Sequence, residues 1–533
     1  MDNRTLIAVL LSIMVLMGFN YYAMKQQHAR QLAMQQQAAS NAVSAPVSNA
    51  PAAAAPQAAA PKAQPQITPV TEKTITVDTD LYTAKFSSTG GVPVSWSLKK
   101  YKGDTKETAN KEVSLINEAA SPAPLAIGWG GDFKGGQLGF TVEGGDLKLD
   151  KANPQGTVSF VYSFGGITIR RTYTFKSGVY TVGLTDEVSG APDYMITLGP
   201  AFGIYDTSGG TGRYGSHIGP AVLWDNAKRT EIKPKTVSNG SISYTDSVKW
   251  IAQEDKYFCA GLIPLYNSPA AQASLINGKP VISFTSGAIP ATAGPIIRSY
   301  TLYAGPKETE TLQTVGHQFD SIVDFGFFSP IAIPIFWLLK KIHSVIGNYG
   351  WSIIVLTLLI RIPFIPLVMK SQKSIKKMQA IQPKMNEIRQ KFKKDPQRMQ
   401  KEMMDLYKKH KVNPMGGCLP MLIQIPVFFA LYKVLLVAIA LRGAPFALWI
   451  TDLSQRDPLY VLPILMGITM FVQQKMTPMG GDPAQRKMMM FMPIIFTFMF
   501  LKLASGLTLY WTVSNLLSVA QQFYVNKKVA IES

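Results

Sequence analysis

The stretch Trp351-SIIVLTLLI-Arg361-IPFIPLV-Met369 has the length and flanks of a membrane-spanning helix, with a single cation in its middle. Arg361 is ten residues from Trp351 and nine from Lys370. At about 1.5 Å per residue it lies near the centre of a hydrocarbon layer roughly 30 Å thick. A cation there costs about 2.5–3.5 kcal/mol on insertion scales, and such residues usually mark function. The other apolar runs hold no Asp or Glu that could be its partner. An unpaired buried cation must then be hydrated, which predicts a water-filled pocket within the bilayer. The competing reading is an arginine that snorkels to the headgroups, and the central depth argues against it.

The positive charge follows the apolar sequence. The formal net charge is +20 over 533 residues, of which 47% are hydrophobic. Residues 71–320 hold 23 Lys and Arg against 23 Asp and Glu, and residues 1–70 hold 4 against 1. Residues 321–533 hold 26 against 9, so the excess sits where the positive-inside rule can use it. The two cysteines, Cys259 and Cys418, fall in regions expected on opposite sides of a membrane, which disfavours a disulfide between them.

Towards the N-terminus, residues 325–348 are aromatic and apolar, interrupted by Pro330 and Pro334, with Lys340, Lys341 and His343 near the end. That mixture predicts an amphipathic helix lying in the interface. A spanning helix is the alternative, and it would leave few residues for a turn before Trp351. Residues 71–320 alternate instead. Val158-Phe160-Tyr162-Phe164 and Ile167-Ile169-Arg171-Tyr173-Phe175 flank Gly165-Gly166, a hairpin turn, and Val92-Val94-Trp96-Leu98 and Tyr180-Val182-Leu184 repeat the period. Short strands with Gly-rich turns over about 250 residues predict a large antiparallel β-sandwich. It carries no GxSxG, HExxH or P-loop pattern, and His217, in GGTGRYGSHIGP, reads as a surface or turn residue. Residues 26–70, rich in Gln, Ala and Pro, predict a disordered tether. Residues 1–25 contain the run Leu6 to Phe19, read as an uncleaved signal-anchor helix with a cytoplasmic N-terminus. No A-x-A site follows it directly, and Tyr21 and Tyr22 suit an interface. Its shortness also fits a cleaved signal peptide.

Towards the C-terminus, Cys418–Leu441, Leu459–Val472, Met488–Leu501 and Leu507–Ala520 bring the crossings to six. Lys370 to Lys411, with 14 basic and 4 acidic residues, is predicted to be cytoplasmic. Arg442–Pro458 is neutral and falls on the far side, whereas Lys475, Arg486, Lys487, Lys527 and Lys528 return inside. Both ends are then cytoplasmic, including the tail 529–533, and the β domain lies outside. Lys433 and Lys502 fit less well and are read as snorkelling or lining the polar cavity. The last three runs have only about 14 apolar residues before Gln473-Gln474, Lys502 and Gln521-Gln522, fewer than the roughly 20 of a full span. Short spans thin the bilayer. Pro363, Pro366, Pro420, Pro426, Pro463 and Pro493 predict irregular backbone, tolerated where it lines water. These features predict a shallow, wet bundle open towards the cytoplasm.

Within the basic segment, Met378, Ile381, Met385, Ile388 and Phe392 recur at three- and four-residue steps, Asp395-Pro396 breaks the run, and Met399, Met403, Leu406 and Tyr407 resume it. This predicts an antiparallel helical hairpin over 371–411. Its exterior, with Lys373, Lys376, Lys377, Lys384, Arg389 and Arg398, is either a solvated face or a docking surface for anionic lipid or ribosomal RNA.

Three motifs make the chain resemble the YidC branch of the YidC/Oxa/Alb membrane protein insertases: Arg361 within TLLIRIPFIPL, NPMGGCLPMLIQIPVFFALYK over 413–433, and SGLTLYWTVSNLLSVAQQ over 505–522. The resemblance covers nearly the whole chain. It implies a multi-domain fold: an α-helical polytopic membrane protein with six transmembrane helices, a five-helix insertase core over 349–528 and a periplasmic all-β supersandwich. It implies a membrane protein insertase and chaperone of the bacterial inner membrane, without cofactor or enzymatic activity. The implied groove is Arg361, Thr357 and Gln424. The implied substrate slide is Met421, Pro426, Phe428, Tyr510 and Trp511, the last standing where a tyrosine would be expected. Nascent membrane proteins, the Sec translocon, the ribosome and signal recognition particle system, and anionic lipids are the implied partners of a functional monomer. The rivals are a small-anion transporter or channel using Arg361, which calls for internal repeats or polar rings through the full bilayer depth, and an intramembrane enzyme, for which no intramembrane Asp, Glu or His is present.

Overall fold

The computed structural model describes residues 72–103, 111–116, 121–200, 202, 217–224, 229–237, 240–245, 247–267, 269–290, 294–410, 419–476 and 483–532, with backbone alone for 372–373, 375–376, 379, 419–423, 483–489 and 525–532. The signal-anchor and tether expectations (1–25 and 26–70), Cys418 and the residue-529–533 side chains lie outside what is described.

Gly165 and Gly166 have φ of +63° and +81°, conformations that glycine adopts without a Cβ penalty. They turn strand Gln155–Phe164 back onto strand Ile167–Lys176, with Phe164 opposite Ile167. Val158, Phe160, Ile169, Tyr173 and Phe175 point inward and are buried, as the period-2 pattern requires. This hairpin belongs to a nine-stranded sheet that runs Arg229–Glu231, Gly219–Trp224, Val248–Glu254, Phe258–Pro264, Ile296–Pro306, Thr181–Ser189, Ile167–Lys176, Gln155–Phe164 and Thr141–Glu143. Two five-stranded sheets complete the β domain. Pairing is antiparallel except where Thr74–Asp78 meets Leu147–Lys148 in parallel. All three sheets share one apolar core.

One inward position is not apolar. Arg171 is fully buried and forks onto Asp186, with Nε and Nη2 each donating at 2.8 Å. Its Nη1 donates to the Leu125 carbonyl at 2.7 Å, and the Tyr194 hydroxyl donates to Asp186 at 2.7 Å. Burial works against the guanidinium charge, yet the Asp186 carboxylate holds its pKa above the ordinary value. His217 also departs from expectation. Its side chain is nearly buried rather than set on a surface turn, with Nε2 2.9 Å from the Pro220 carbonyl oxygen and Nδ1 3.7 Å from Glu231.

The domain ends with helix α1 (Thr309–Val315) and a 3-10 turn, Phe319–Ile322, which fold back on the sheet. Phe319 fills the space above Gly261, where a Cβ would lie 2.2 Å from its ring, and it meets Trp250 edge-on at 5.4 Å.

The helical part comprises α2 (Ser329–Ile346), α3 (Tyr349–Arg361), α4 (Ile365–Ala380), α5 (Gln382–Lys391), α6 (Pro396–Lys409), α7 (Leu419–Val437), α8 (Val461–Met476), α9 (Pro483–Phe500) and α10 (Ser505–Glu532). Asn348 caps α3 by accepting from the Trp351 amide, and it ties that end to the 442–460 loop through the Pro445 and Phe446 carbonyls. Segments 326–346 and 349–371 are long and apolar enough to cross a membrane, whereas the apolar parts of α7, α8 and α9 are shorter. The prolines break less than expected. A 3-10 turn, Ile362–Phe364, surrounds Pro363 between α3 and α4, but Pro426 and Pro493 sit inside continuous helices. Helix α10 continues past Gln521-Gln522, where its apolar run ends, to Glu532.

The connections that lead into α8 and α10 are locked together. Asp457 is buried and accepts from the Trp449 indole at 2.9 Å and from the Leu459 and Leu462 amides at 3.0 and 2.7 Å. Ser505 and Gly506 donate to the Gln455 and Leu453 carbonyls at 2.6 and 2.9 Å. Lys502 is an exposed residue of this same turn, so it lies at a helix end and not in the cavity. Lys433 likewise faces Gly326 at the start of α2 rather than the groove.

The expected hairpin is present. Ile381 and Met385 are buried against Met378, Met403, Leu406 and Tyr407, and Asp395 caps α6 at the Arg398 amide at 3.0 Å.

Candidate functional site

Three helices converge on Arg361. It closes α3, twelve residues below Tyr349, hence roughly 18 Å from that end of the helix. The guanidinium meets α10: Nη2 donates to the Ser514 hydroxyl at 3.4 Å and makes a shorter bond to that of Ser518. Gln424 of α7 donates to the same Ser514 oxygen at 3.4 Å, and the buried Tyr510 lies one turn before Ser514 on α10. Arg361 and Gln424 are therefore joined through Ser514, and Arg361 also to Ser518, with Tyr510 beside them; the two serines carry no opposite charge that would mark them in the sequence. The helical spacing of Tyr510, Ser514 and Ser518, every fourth residue, is the signal that places them on one face.

The cluster contains no carboxylate. Of the guanidinium's five N–H groups, those on Nε and Nη1 meet no acceptor among the described residues. Among the described residues no carboxylate meets the guanidinium, and part of its hydrogen-bonding demand is met by neutral hydroxyls.

Thr357 lies one turn before Arg361 on the same face, but it is buried and its hydroxyl is spent on the Ile353 carbonyl at 2.6 Å. It contributes packing under the cluster and no free donor.

The expected slide residues divide. Phe428 and Trp511 meet edge-on at 4.5 Å and, with Phe496 and Phe500 within 6.0 Å of Trp511, form an aromatic cluster beside the polar one. The Trp511 indole N–H is buried there without an acceptor. Pro426, half-buried, is two residues from Gln424 and so about 200° round the helix from it; it does not join either cluster. The Met421 side chain lies outside the described residues.

On the hairpin, Lys377, Lys384 and Arg398 are exposed and Arg389 is half-buried, with Arg398 stacked over Phe392 at 5.2 Å. The side chains of Lys373 and Lys376 lie outside the described residues. Among the described residues no cluster of His, Cys, Asp and Glu could hold a metal ion.

The helical part is also tied to the β domain. Arg442 donates to the Lys102 carbonyl at 2.7 Å and lies over the rings of Phe258 and Tyr257 at 5.0 and 5.8 Å. Lys340 of α2 is paired with Glu310 of α1. Arg229, on the sheet, reaches Asp324 just before α2 at 3.7 Å. Ile439 joins the β core.

Two family models match the chain. One, described as 60Kd inner membrane protein, covers residues 341–532, and the other, described as YidC periplasmic domain, covers residues 74–338. A membrane protein insertase YidC of Citrifermentans bemidjiense is 42% identical over 545 residues, covering 99% of this chain and 100% of that protein. The protein of the same description from Geotalea daltonii is 39% identical over 542 residues, again covering 99% and 100%. Among solved structures, an active YidC insertase with its first transmembrane domain resolved is similar at 18% identity and a TM-score of 0.39, covering 85% of this chain and 92% of that one.

Proposed function

The chain belongs to the YidC family of membrane protein insertases, inner-membrane proteins with a periplasmic β domain, and we propose that its insertion path is the groove around Arg361. The full-length relatives give no support to the anion-transporter reading. One observation carries the proposal: a guanidinium roughly 18 Å from the outer end of α3, seated on neutral hydroxyls, with no carboxylate to cancel its charge.

A nascent segment of about 20 apolar residues gains by entering lipid, but its polar flank must cross, and every buried polar group resists. A groove that holds water to half depth shortens that crossing. Arg361 attracts the acidic or polar tail, with Gln424 and Tyr510 beside it. The apolar segment slides past Phe428, Trp511 and Met421, side chains with adaptable or broad apolar surfaces. The inside-negative potential helps acidic tails outward, at about 2.3 kcal/mol per charge per 100 mV.

In this proposal six helices cross the membrane, the first within residues 1–25, and both termini and the hairpin 371–411 are cytoplasmic. Residues 26–70 tether the first helix to the β domain, 71–320, and 349–528 form the core. Helix α2 lies in the interface, which is supported by its ties: Asp324 before it and Lys340 within it both pair with groups of the β domain. A helix held to the same side at both points does not cross. The short apolar lengths of α8 and α9 support local thinning of the bilayer around the groove.

The exposed cations of the hairpin suit docking to anionic lipid or to ribosomal RNA. The client's route then runs from the ribosome and signal recognition particle to a single insertase molecule, alone or beside the Sec translocon. The test is depletion of the protein in cells, followed by protease accessibility of small one- and two-span membrane proteins. Loss of their insertion, restored by the wild-type chain and less by Arg361→Ala than by Arg361→Lys, is the expected result; normal insertion of all clients after depletion refutes the proposal.

A further inference from the structure

We infer that Ser514 and Ser518 are positioning residues for insertion, which hold the Arg361 guanidinium in the groove without neutralising it. The inference rests on the reading of Arg361 as the group that receives the polar tail.

The proton bookkeeping at the two serines is constrained. The Ser518 hydroxyl donates to the Ser514 carbonyl at 3.0 Å, so its lone pairs are left to accept from Arg361 Nη2. The Ser514 oxygen receives two donors, Arg361 Nη2 and Gln424 Nε2, each at 3.4 Å. Both hydroxyls therefore present oxygen, and not hydrogen, to the cation. They stand one helical turn apart on α10, and both engage the same nitrogen, which pins the end of a long side chain that would otherwise be free to snorkel.

The chemistry of the pair fits the task. A carboxylate in this place would cancel the charge and compete with an acidic tail for the guanidinium. Hydroxyls are weaker, neutral acceptors, so the net charge persists and Nε and Nη1 remain available to an incoming carboxylate or peptide carbonyl. Ser514 is buried whereas Arg361 and Ser518 are only half-buried, so the anchoring side is packed and the receiving side is open.

The test is an epistasis measurement with the full-length protein in cells depleted of the wild-type insertase, read as protease protection of two versions of one single-span client, with an acidic or an uncharged tail. Ser514→Ala/Ser518→Ala is expected to lower insertion of the acidic-tailed client roughly ten-fold, the scale of a lost hydrogen bond to a charged group. The uncharged-tail client is expected to change little. Added to Arg361→Ala, the serine substitutions are expected to cause no further loss, because residues that act through one another are not additive. An equal further loss in the Arg361→Ala background overturns the inference, since the serines would then act independently. Should the double variant fail to accumulate, the single pair decides: Ser518→Thr keeps the acceptor and retains insertion while Ser518→Ala does not, and equal behaviour of the two overturns the inference. Arg361→Ala without effect on the acidic-tailed client overturns the reading of Arg361 itself, which separates the two failures.

Discussion

Replacing Arg442 by Ala is expected to loosen the β domain from the membrane core while leaving both folded. Arg442 leads the connection that follows α7, and it reaches across to the β domain, to the Lys102 carbonyl at 2.7 Å and to the rings of Phe258 and Tyr257 at 5.0 and 5.8 Å. The side chain is half-buried, so the lower ends of the usual ranges apply. About 1 kcal/mol is assigned to the hydrogen bond and about 0.5 kcal/mol to each cation–π contact. The total near 2 kcal/mol corresponds to about a 30-fold shift in the docking equilibrium. Hydrogen exchange on the full-length protein in nanodiscs reads this directly, with faster exchange expected at Phe258–Pro264 and at the end of Val92–Lys102. Arg442→Lys keeps the charge but not the planar stacking, and an intermediate effect is expected. Unchanged exchange at both sites in Arg442→Ala would refute the latch, and so would exchange that rises evenly through the whole β domain, the mark of unfolding and not of undocking.

Three other outcomes are expected. Asp186→Ala, which strands a fully buried Arg171, should destabilise the β domain by about 3–5 kcal/mol, and Arg171→Met/Asp186→Leu should recover much of that loss in thermal unfolding. Gly350→Ala would put a Cβ 2.0 Å from the Phe446 ring, so the melting temperature in detergent should fall by an amount equivalent to about 1–3 kcal/mol, with Phe446→Leu as the compensating change. Burial pushes the Glu310 carboxyl up, but its bond to Lys340 and that charge hold it below the usual value; a lowered folded-state pKa stabilises above the unfolded pKa and is lost as pH falls through the folded one. Exchange protection of α1 should therefore drop below about pH 4 by a modest factor, because the pair is largely exposed, and Glu310→Gln should abolish the pH dependence.

The sequence was most legible where one periodicity dominated. The alternation on either side of Gly165-Gly166 pointed to the hairpin and its register, and the three- and four-step pattern from Met378 to Tyr407 pointed to the helices of the basic hairpin with their break at Asp395-Pro396. Features that depend on what lies opposite were not legible. Arg171 falls in the inward alternation as an unexplained charge until Asp186 and Tyr194 are seen around it, and His217 reads as a surface or turn residue until strand Arg229–Glu231 covers it. At Arg361 the search was for opposite charge. Hydroxyl residues in a helix usually bond their own preceding turn, as Thr357 and Ser518 do here, so they announce no external partner. Only the neighbouring helix reveals that Ser518 has lone pairs left for a cation.

The direction in which the proposed groove opens follows from where hydrogen bonds are complete. On the outer side, Asp457 accepts three bonds from its own loop and the start of α8, and Ser505 and Gly506 are tied to Gln455 and Leu453. Ser454 carries a buried hydroxyl without a partner there, but the remaining polar groups named are paired, so this end needs little water. Further along α10 the balance reverses. Among the described residues, the buried Asn515 and Gln521 amide nitrogens and the Trp511 indole meet no acceptor, and neither do Nε and Nη1 of Arg361. Each such group costs several kcal/mol in hydrocarbon unless water or a peptide satisfies it. On the proposed reading, water is therefore drawn to the stretch of α10 around and beyond Arg361, from Trp511 to Gln521, and has little reason to pass the cap at Asp457. In the proposed mechanism a polar tail entering from the basic, hairpin side would meet unfilled donors first and the sealed cap last, and the barrier left for it would be the remaining half of the layer.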